Sequence, residues 1–305
     1  MIPNCPDLKC TSQSSRDPKP ASVVRNGSYL RRSDSRRITR YFCKNCGSYY
    51  SRATLDPRFR QKKRRINPEL SRLLSSAVSL RRAAILLRVN RKTVVRRVHF
   101  LAEQARINQA SFMDQRFRER PVESVQFDEL ETIEHTKLKP VSVALAVEPS
   151  TRKILNFQVS QMSANGPLAE KSRRKYGKRI DHRGRGLSRM MREMLRYVAK
   201  DAIWISDENP RYPAHLKKYY PEATHIQIKG GRGSSGGQGE LKRLRYDPIF
   251  ALNHTCAMLR ANLNRLIRRT WCTTKRIRGL LDHLSIYVAY HNRVLTELSA
   301  GKGAS

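Results

Sequence analysis

Val125-Gln126-Phe127-Asp128-Glu129-Leu130-Glu131, with Glu134 close behind, is the stretch around which this chain is organised. Lys and Arg together number 62 against 25 Asp and Glu, yet residues 124–136 hold no Lys or Arg and four carboxylates. Val125 and Phe127 alternate with Gln126 and Asp128, the period-two pattern of a half-buried strand, and β-branched and aromatic residues suit a pleated sheet. The expectation is a strand that ends by delivering Asp128. A chain of formal charge +37 that gathers carboxylates at a strand end is equipped to keep a divalent cation beside a polyanion.

A second strand of the same kind lies downstream. Residues 202–207, Ala-Ile-Trp-Ile-Ser-Asp, again run from apolar positions into an aspartate, Asp207. Neighbouring strands would bring Asp128 and Asp207 together. Between them, residues 140–147 and 153–159 read as two further strands joined by a turn at 148–151, giving a three-stranded meander. Residues 163–186, polar and glycine-containing, read as a loop, and residues 187–201, with Met190, Met191, Met194, Leu195 and Val198 at helical spacing, as an amphipathic helix. A short helix at 213–219 and a strand at 225–228 follow. The glycine-rich run 230–239 lacks the Gly-Lys-Ser/Thr ending of a phosphate loop and reads as a connection. Asp247-Pro248 would open a long helix, Asp as N-cap and Pro at its first position, with Leu252, Cys256, Leu259, Leu263 and Leu266 inward. A last helix spans 277–292.

The N-terminal part carries a different signal. Cys5-x4-Cys10 and Cys43-x2-Cys46, the latter followed by Gly47, form two close thiol pairs. Zinc takes four soft ligands in a tetrahedron, and two hairpin knuckles supply two thiolates each. Short basic strands with aromatic residues are expected between them, at 28–32 and 37–42. After a basic linker, Lys62-Lys63-Arg64-Arg65, small and apolar residues of 79–98 recur at helical spacing around a turn ending in Asn90, the N-cap of a second helix. That is a helix-turn-helix layout, whose second helix would show Arg91, Lys92 and Thr93, with Arg96 one turn on, to a DNA major groove.

The composition agrees. A pI near 10.9, with basic residues spread along the whole chain, makes nucleic acid the default partner over an anionic membrane. No apolar run approaches the roughly 18 to 20 residues of a membrane span, and the N-terminus does not read as a signal peptide. A cytoplasmic, nucleoid-associated protein is expected. In that reducing compartment paired cysteines serve better as metal ligands than as disulfides; Cys256 and Cys272 read as core residues.

Taken in order, the chain resembles the DDE transposases of bacterial insertion sequences that carry an N-terminal zinc ribbon and a helix-turn-helix. The resemblance rests on Cys5, Cys10, Cys43 and Cys46, on Thr93-Val94, on Phe127-Asp128-Glu129, on Ile205-Ser206-Asp207, and on the C-terminal Leu252-Asn253-His254, Leu259-Arg260, Arg265-Leu266, Lys275 and Tyr290-His291-Asn292. It implies a multidomain α/β protein: a zinc ribbon over 1–55, a helix-turn-helix over 62–112, and an RNase H-like α/β/α core with a mixed sheet over 121–295. It implies Mg2+ or Mn2+ at Asp128 and Asp207, Zn2+ at the cysteines, double-stranded DNA as partner, and at least a dimer on that DNA. The implied activity is cleavage at the element's ends followed by strand transfer. The family's third carboxylate, a glutamate on the long helix shortly before a basic residue, aligns with Asn253, ahead of Arg260. An asparagine oxygen ligates a hard cation but brings no charge. Glu240 and Asp247 are rival third ligands, and a catalytically inactive, domesticated or decayed transposase that only binds DNA is the alternative.

Overall fold

The computed structural model describes residues 2–10, 22–32, 34–229, 247–267 and 272–296. Glu240 and the glycine-rich run lie outside the described residues. The chain forms two compact units, residues 1–66 and 67–305.

The first unit is a three-stranded antiparallel sheet. Its strands are β1 (Val23–Arg31), β2 (Arg36–Cys43) and β3 (Tyr49–Ser51), followed by a single helical turn, α1 (Arg52–Leu55). Its small core is Cys5, Cys10, Val23, Tyr41, Cys43 and Tyr50. Six buried residues are too few to hold a sheet of this size by apolar burial alone. The basic run is not a bare linker: Arg64 donates to the Gln61 carbonyl at 3.2 Å and pairs with Asp56 at 3.8 Å, while Lys62, Lys63 and Arg65 are exposed.

The second unit begins with three helices, α2 (Ile66–Leu74), α3 (Leu80–Leu86) and α4 (Arg91–Phe117). Ser79 accepts from the Arg82 N–H to cap α3, and Asn90 accepts from the Lys92 N–H at 2.8 Å to cap α4. The sheet that follows has the order β6-β5-β4-β7-β8. Its strands are β4 (Val122–Glu134), β5 (Thr136–Val147), β6 (Ile154–Gln161), β7 (Val198–Asp207) and β8 (Thr224–Ile228). β4, β5 and β6 are antiparallel neighbours, whereas β7 and β8 run parallel to β4. Helices α5 (Leu168–Tyr176), α6 (Arg183–Met194) and α7 (Tyr212–Tyr219) are interleaved with these strands; α8 (Phe250–Asn262) and α9 (Ile277–Tyr290) come last.

Strand alternation splits the core in two. Val125, Phe127, Ala144, Ala146 and Trp204 face Met190, Met191, Met194, Tyr212 and the end of α4. Leu130, Val143, Leu145 and Val147 face α8 and α9. Phe127 is the hub of the first face, 5.4 Å from Trp204 edge-on and 4.8 Å from Tyr212. Truncating such a fully buried aromatic costs about 3 to 5 kcal/mol.

Several sequence expectations shift by a few residues, for identifiable reasons. The 163–186 region is not one loop: α5 forms there, anchored by Ser172 donating to the Leu138 carbonyl at 2.7 Å, and α6 begins at Arg183. α6 ends at Met194 rather than 201, because residues from Val198 are claimed by pairing with β4. β4 does not stop at Asp128. It runs to Glu134, because Leu130 continues the apolar face and β5 supplies a partner to the hairpin turn at His135. Asp247 is not the helix N-cap: its side chain accepts from the Ile249 N–H, closing a turn, and α8 starts at Phe250 and ends at Asn262, before Leu266.

Residues 62–112 and 121–295, expected as two domains, are packed together from Asn67 onward. α4 runs unbroken across the interval, and its last residues, Met113 and Phe117, sit in the sheet core. α9 is buried on two sides: Leu280, Leu284 and Val288 face the sheet, while Ile286 enters the cluster of α2, α3 and α4. Polar ties reinforce this. Asp282 accepts from His99 at 2.5 Å and from Arg106, and His283 Nε2 donates to the Leu74 carbonyl at 2.7 Å. Burial pushes His283 down to about 4, so it serves as a neutral donor.

Candidate metal and nucleic-acid sites

Asp207 is the last residue of β7. Asp128 lies mid-strand, just past the point where β4 and β7 part: Gln126 to Ile205 is their last rung, while β4 continues along β5 alone. The divergence opens a notch between the strands, and both aspartates border it. Asp128 Oδ1 accepts the Tyr212 hydroxyl at 3.0 Å and the Glu129 N–H at 2.6 Å. Asp207 Oδ1 accepts the Asn209 N–H at 3.1 Å. Each Oδ2 carries no hydrogen bond among the described residues. Burial and the charge of Asp207 push Asp128 up to about 6. Two carboxylates that repel each other in a partly buried notch, each with one oxygen left over, are a donor set that suits a hard divalent cation.

α8 forms the third wall, and Gln126 fixes it. Gln126 Nε2 donates to the Pro248 carbonyl at 2.9 Å and its Oε1 accepts the Leu252 N–H at 3.0 Å, two residues before Asp128 on the same face of β4. The Cys256 thiol, pushed up to about 12 by burial and by the Asp128 charge, places the inner side of α8 beside that carboxylate. Asn253 precedes Cys256 by one turn and is exposed; its Nδ2 donates to Asp247 Oδ2 at 2.9 Å, which leaves its own oxygen as the available ligand atom. Asp247, by contrast, spends both oxygens on the Ile249 N–H and Asn253. Arg260 lies one turn beyond Cys256, half-buried, and its charge counteracts the upward push on that thiol.

In the first unit the structure brings Cys5, Cys10, Cys43 and Cys46 together, all four sulfurs within 4.8 Å of one another. Cys5 and Cys46 are 3.5 Å apart, Cys10 and Cys43 3.7 Å. Zn–S bonds of about 2.3 Å put the sulfurs of a tetrahedron about 3.8 Å apart, so the cluster fits one zinc with no open position. Gly47, at φ 71°, makes the knuckle turn, with its N–H on the Cys43 carbonyl. Burial drives Cys5 up to about 12, while Ser48 lowers Cys46.

At the start of α4, Arg91, Lys92 and Arg96 are exposed and Thr93 is half-buried, while Val94 and Val98 hold the helix to its neighbours. Sequence reasoning missed Gln126 and Tyr212. An amide inside an apolar strand was a readable signal for the first; the tyrosine, 84 residues from Asp128, left none.

No family model and no curated protein matches this sequence. Among solved structures, the chain is similar to the catalytic domain of Mos1 mariner transposase, over 68% of this chain and 93% of that one, at 10% identity. The TM-score is 0.26. So loose a superposition carries no argument, and the functional reading rests on the residues. No helix among the described residues is long and apolar enough to cross a membrane.

Proposed function

We propose that the chain is a DNA transposase of the insertion-sequence kind, with a zinc ribbon, a helix-turn-helix and an RNase H-like core, that binds its element's ends and cuts and rejoins DNA. The observation that carries the reading is the notch itself: two aspartates on parallel neighbouring strands, one raising the proton affinity of the other, with α8 clamped alongside by Gln126. The strand order supports the RNase H-like assignment, three antiparallel strands followed by two parallel ones. The net charge supports DNA as substrate.

Asp128 and Asp207 would hold Mg2+ or Mn2+ through their free oxygens, with the Asn253 oxygen as third ligand. Such ions generate a nucleophile from water or a 3'-hydroxyl near neutral pH and offset charge on the attacking and leaving oxygens. The chain's own part is to orient. Tyr212 and the Glu129 N–H pin Oδ1 of Asp128, so that Oδ2 faces the notch; Gln126 sets the distance from β4 to α8; Arg260 adds positive charge beside a polyanionic substrate. The cysteine site serves folding and DNA contact, and Arg91, Lys92, Thr93 and Arg96 meet the element's end. Cutting two ends requires at least a dimer, and the expected location is the nucleoid.

A strand-transfer assay with terminal repeats and Mg2+ or Mn2+ tests this. Cleavage abolished by Asp128→Ala and by Asp207→Ala, with DNA binding retained, is expected. Asn253, which brings no charge, favours one other reading: a decayed transposase that only binds DNA. Sequence-specific binding without cleavage under any metal would establish that alternative.

A further inference from the structure

The outward face of α6 carries Arg185, Arg189, Arg192 and Arg196 at spacings of four, three and four, so they stand in one row; Arg196 lies just past the helix end. All four are exposed, and none makes an ion pair among the described residues. Some arginines of this unit are paired instead: Arg183 with Asp181, Arg106 with Asp282 and Glu103. Like charges at these spacings destabilise a helix, so the row is not explained by folding. The one carboxylate on the same helix, Glu193, accepts from Asn156 at 3.1 Å and Gln158 at 2.9 Å, which turns it toward β6. Leu187, Met190, Met191 and Met194 are fully buried on the opposite side, so the helix cannot roll the row away from solvent.

The surroundings extend the positive surface. On one flank a cleft of about 380 Å3 sets Arg185, Arg189 and Arg192 against His215 and Lys218 of α7. On the other, a groove of about 550 Å3 is lined by Arg189, Arg192 and Arg196, with Arg106, whose charge is met by Asp282 and Glu103, and Glu193 at its side. The helix starts at Arg183, where the Glu129 and Glu131 charges are felt, and the row runs to the opposite end of the sheet, where Tyr197 meets Val122.

We propose that this row is a second surface for the backbone of duplex DNA, separate from the start of α4, along which DNA engaged at the notch is held. The proposal rests on the DNA reading above. The stretch from Arg185 to Arg196, helical as far as Met194, spans about 16 Å at about 1.5 Å per residue, or about five phosphates of one strand at about 3.4 Å per charge. Exposed guanidinium groups, with Leu195 just past the helix end as their exposed large apolar neighbour, suit sequence-independent phosphate contact; Met113, Leu155 and Val288, which line the flanking groove, are buried in the core.

The test is binding of the full chain to a 30-base-pair duplex of random sequence and to the terminal repeat, across a salt series. Variants are the quadruple Arg185→Ala/Arg189→Ala/Arg192→Ala/Arg196→Ala, the double Arg192→Ala/Arg196→Ala, and the quadruple Arg→Lys. Each lost phosphate contact lowers the salt slope by about 0.9. The double should lose nearly two units on both duplexes alike, the quadruple more, and the lysine variant less than one. Slopes unchanged in the double, with its thermal melt intact, overturn the proposal. Loss of polyglutamate binding with duplex binding intact also overturns it, by giving the surface to an acidic protein. A wild-type chain that binds no duplex removes the DNA reading itself, which separates that failure from failure of the row.

Discussion

The four-cysteine cluster and the aspartate notch are both candidate metal sites, but they are built in opposite ways. The cysteines sit at the centre of a unit whose apolar core is little more than themselves and two tyrosines. The aspartates sit at the rim of a large, independently packed core, on strands that would form without them. A metal in the first site is part of the fold; a metal in the second is held by a fold that already exists. Each thiol pair is local, although the two pairs meet across 33 and 41 residues, whereas the carboxylates meet only because β7 pairs with β4. The same contrast predicts different consequences of damage.

The largest effect is expected at the ribbon. Structural zinc contributes on the order of 10 to 16 kcal/mol of apparent folding free energy in small domains, so Cys43→Ser should reduce zinc from one per chain to none and abolish cooperative unfolding of residues 1–66. The melt of residues 67–305 should be unaffected. A ribbon that still unfolds cooperatively without zinc would erase the contrast.

At the notch, the effect on stability has the opposite sign. Asp128 is raised by burial and by Asp207, so the folded state binds its proton more tightly than the unfolded chain. That contribution is fully present below about pH 4 and is lost as pH rises through about 6, a penalty of about 3 kcal/mol for the metal-free protein at neutral pH. Asp128→Asn should therefore gain on wild type by roughly this amount between pH 4 and 7 in chelator, and Mg2+ should restore wild type above pH 6. Parallel melting curves for the two proteins across that range would show that burial and repulsion are not what raises this carboxyl.

A smaller loss is expected at Gln126. Gln126→Leu leaves the Leu252 N–H and the Pro248 carbonyl without their partner, about 2 kcal/mol by denaturant titration. Faster amide exchange confined to the first turn of α8 should accompany it. Unchanged exchange at Leu252 would mean that α8 is held by apolar contact alone. Smallest is Asn253→Ala, which removes a neutral oxygen and should weaken Mn2+ binding by roughly tenfold, about 1.4 kcal/mol. No change in affinity, measured calorimetrically, would take Asn253 out of the ligand set.

The alternation at 125–128, the aspartate closing β7, the thiol pairs and the Asn90 cap were all legible in the sequence, because each depends on a few adjacent residues. The period of two puts Phe127 in the core and Asp128 on the other face whatever surrounds them; a Cys-x2-Cys-Gly knuckle turns by itself. Tertiary structure alone decided the rest. β4 runs past Asp128 because β5 is there to pair with it, and Val198 is a strand residue because β4 claims it against helical spacing. α4 and α9 bind residues 67–117 to the sheet through Asp282, His283 and Ile286, contacts between residues more than 170 positions apart. Tyr212 becomes a partner of Asp128 only when α7 docks on Phe127. Local geometry is written in the order of side chains, whereas pairing, docking and the charge a carboxylate feels depend on which distant segments the folded chain brings within a few ångströms.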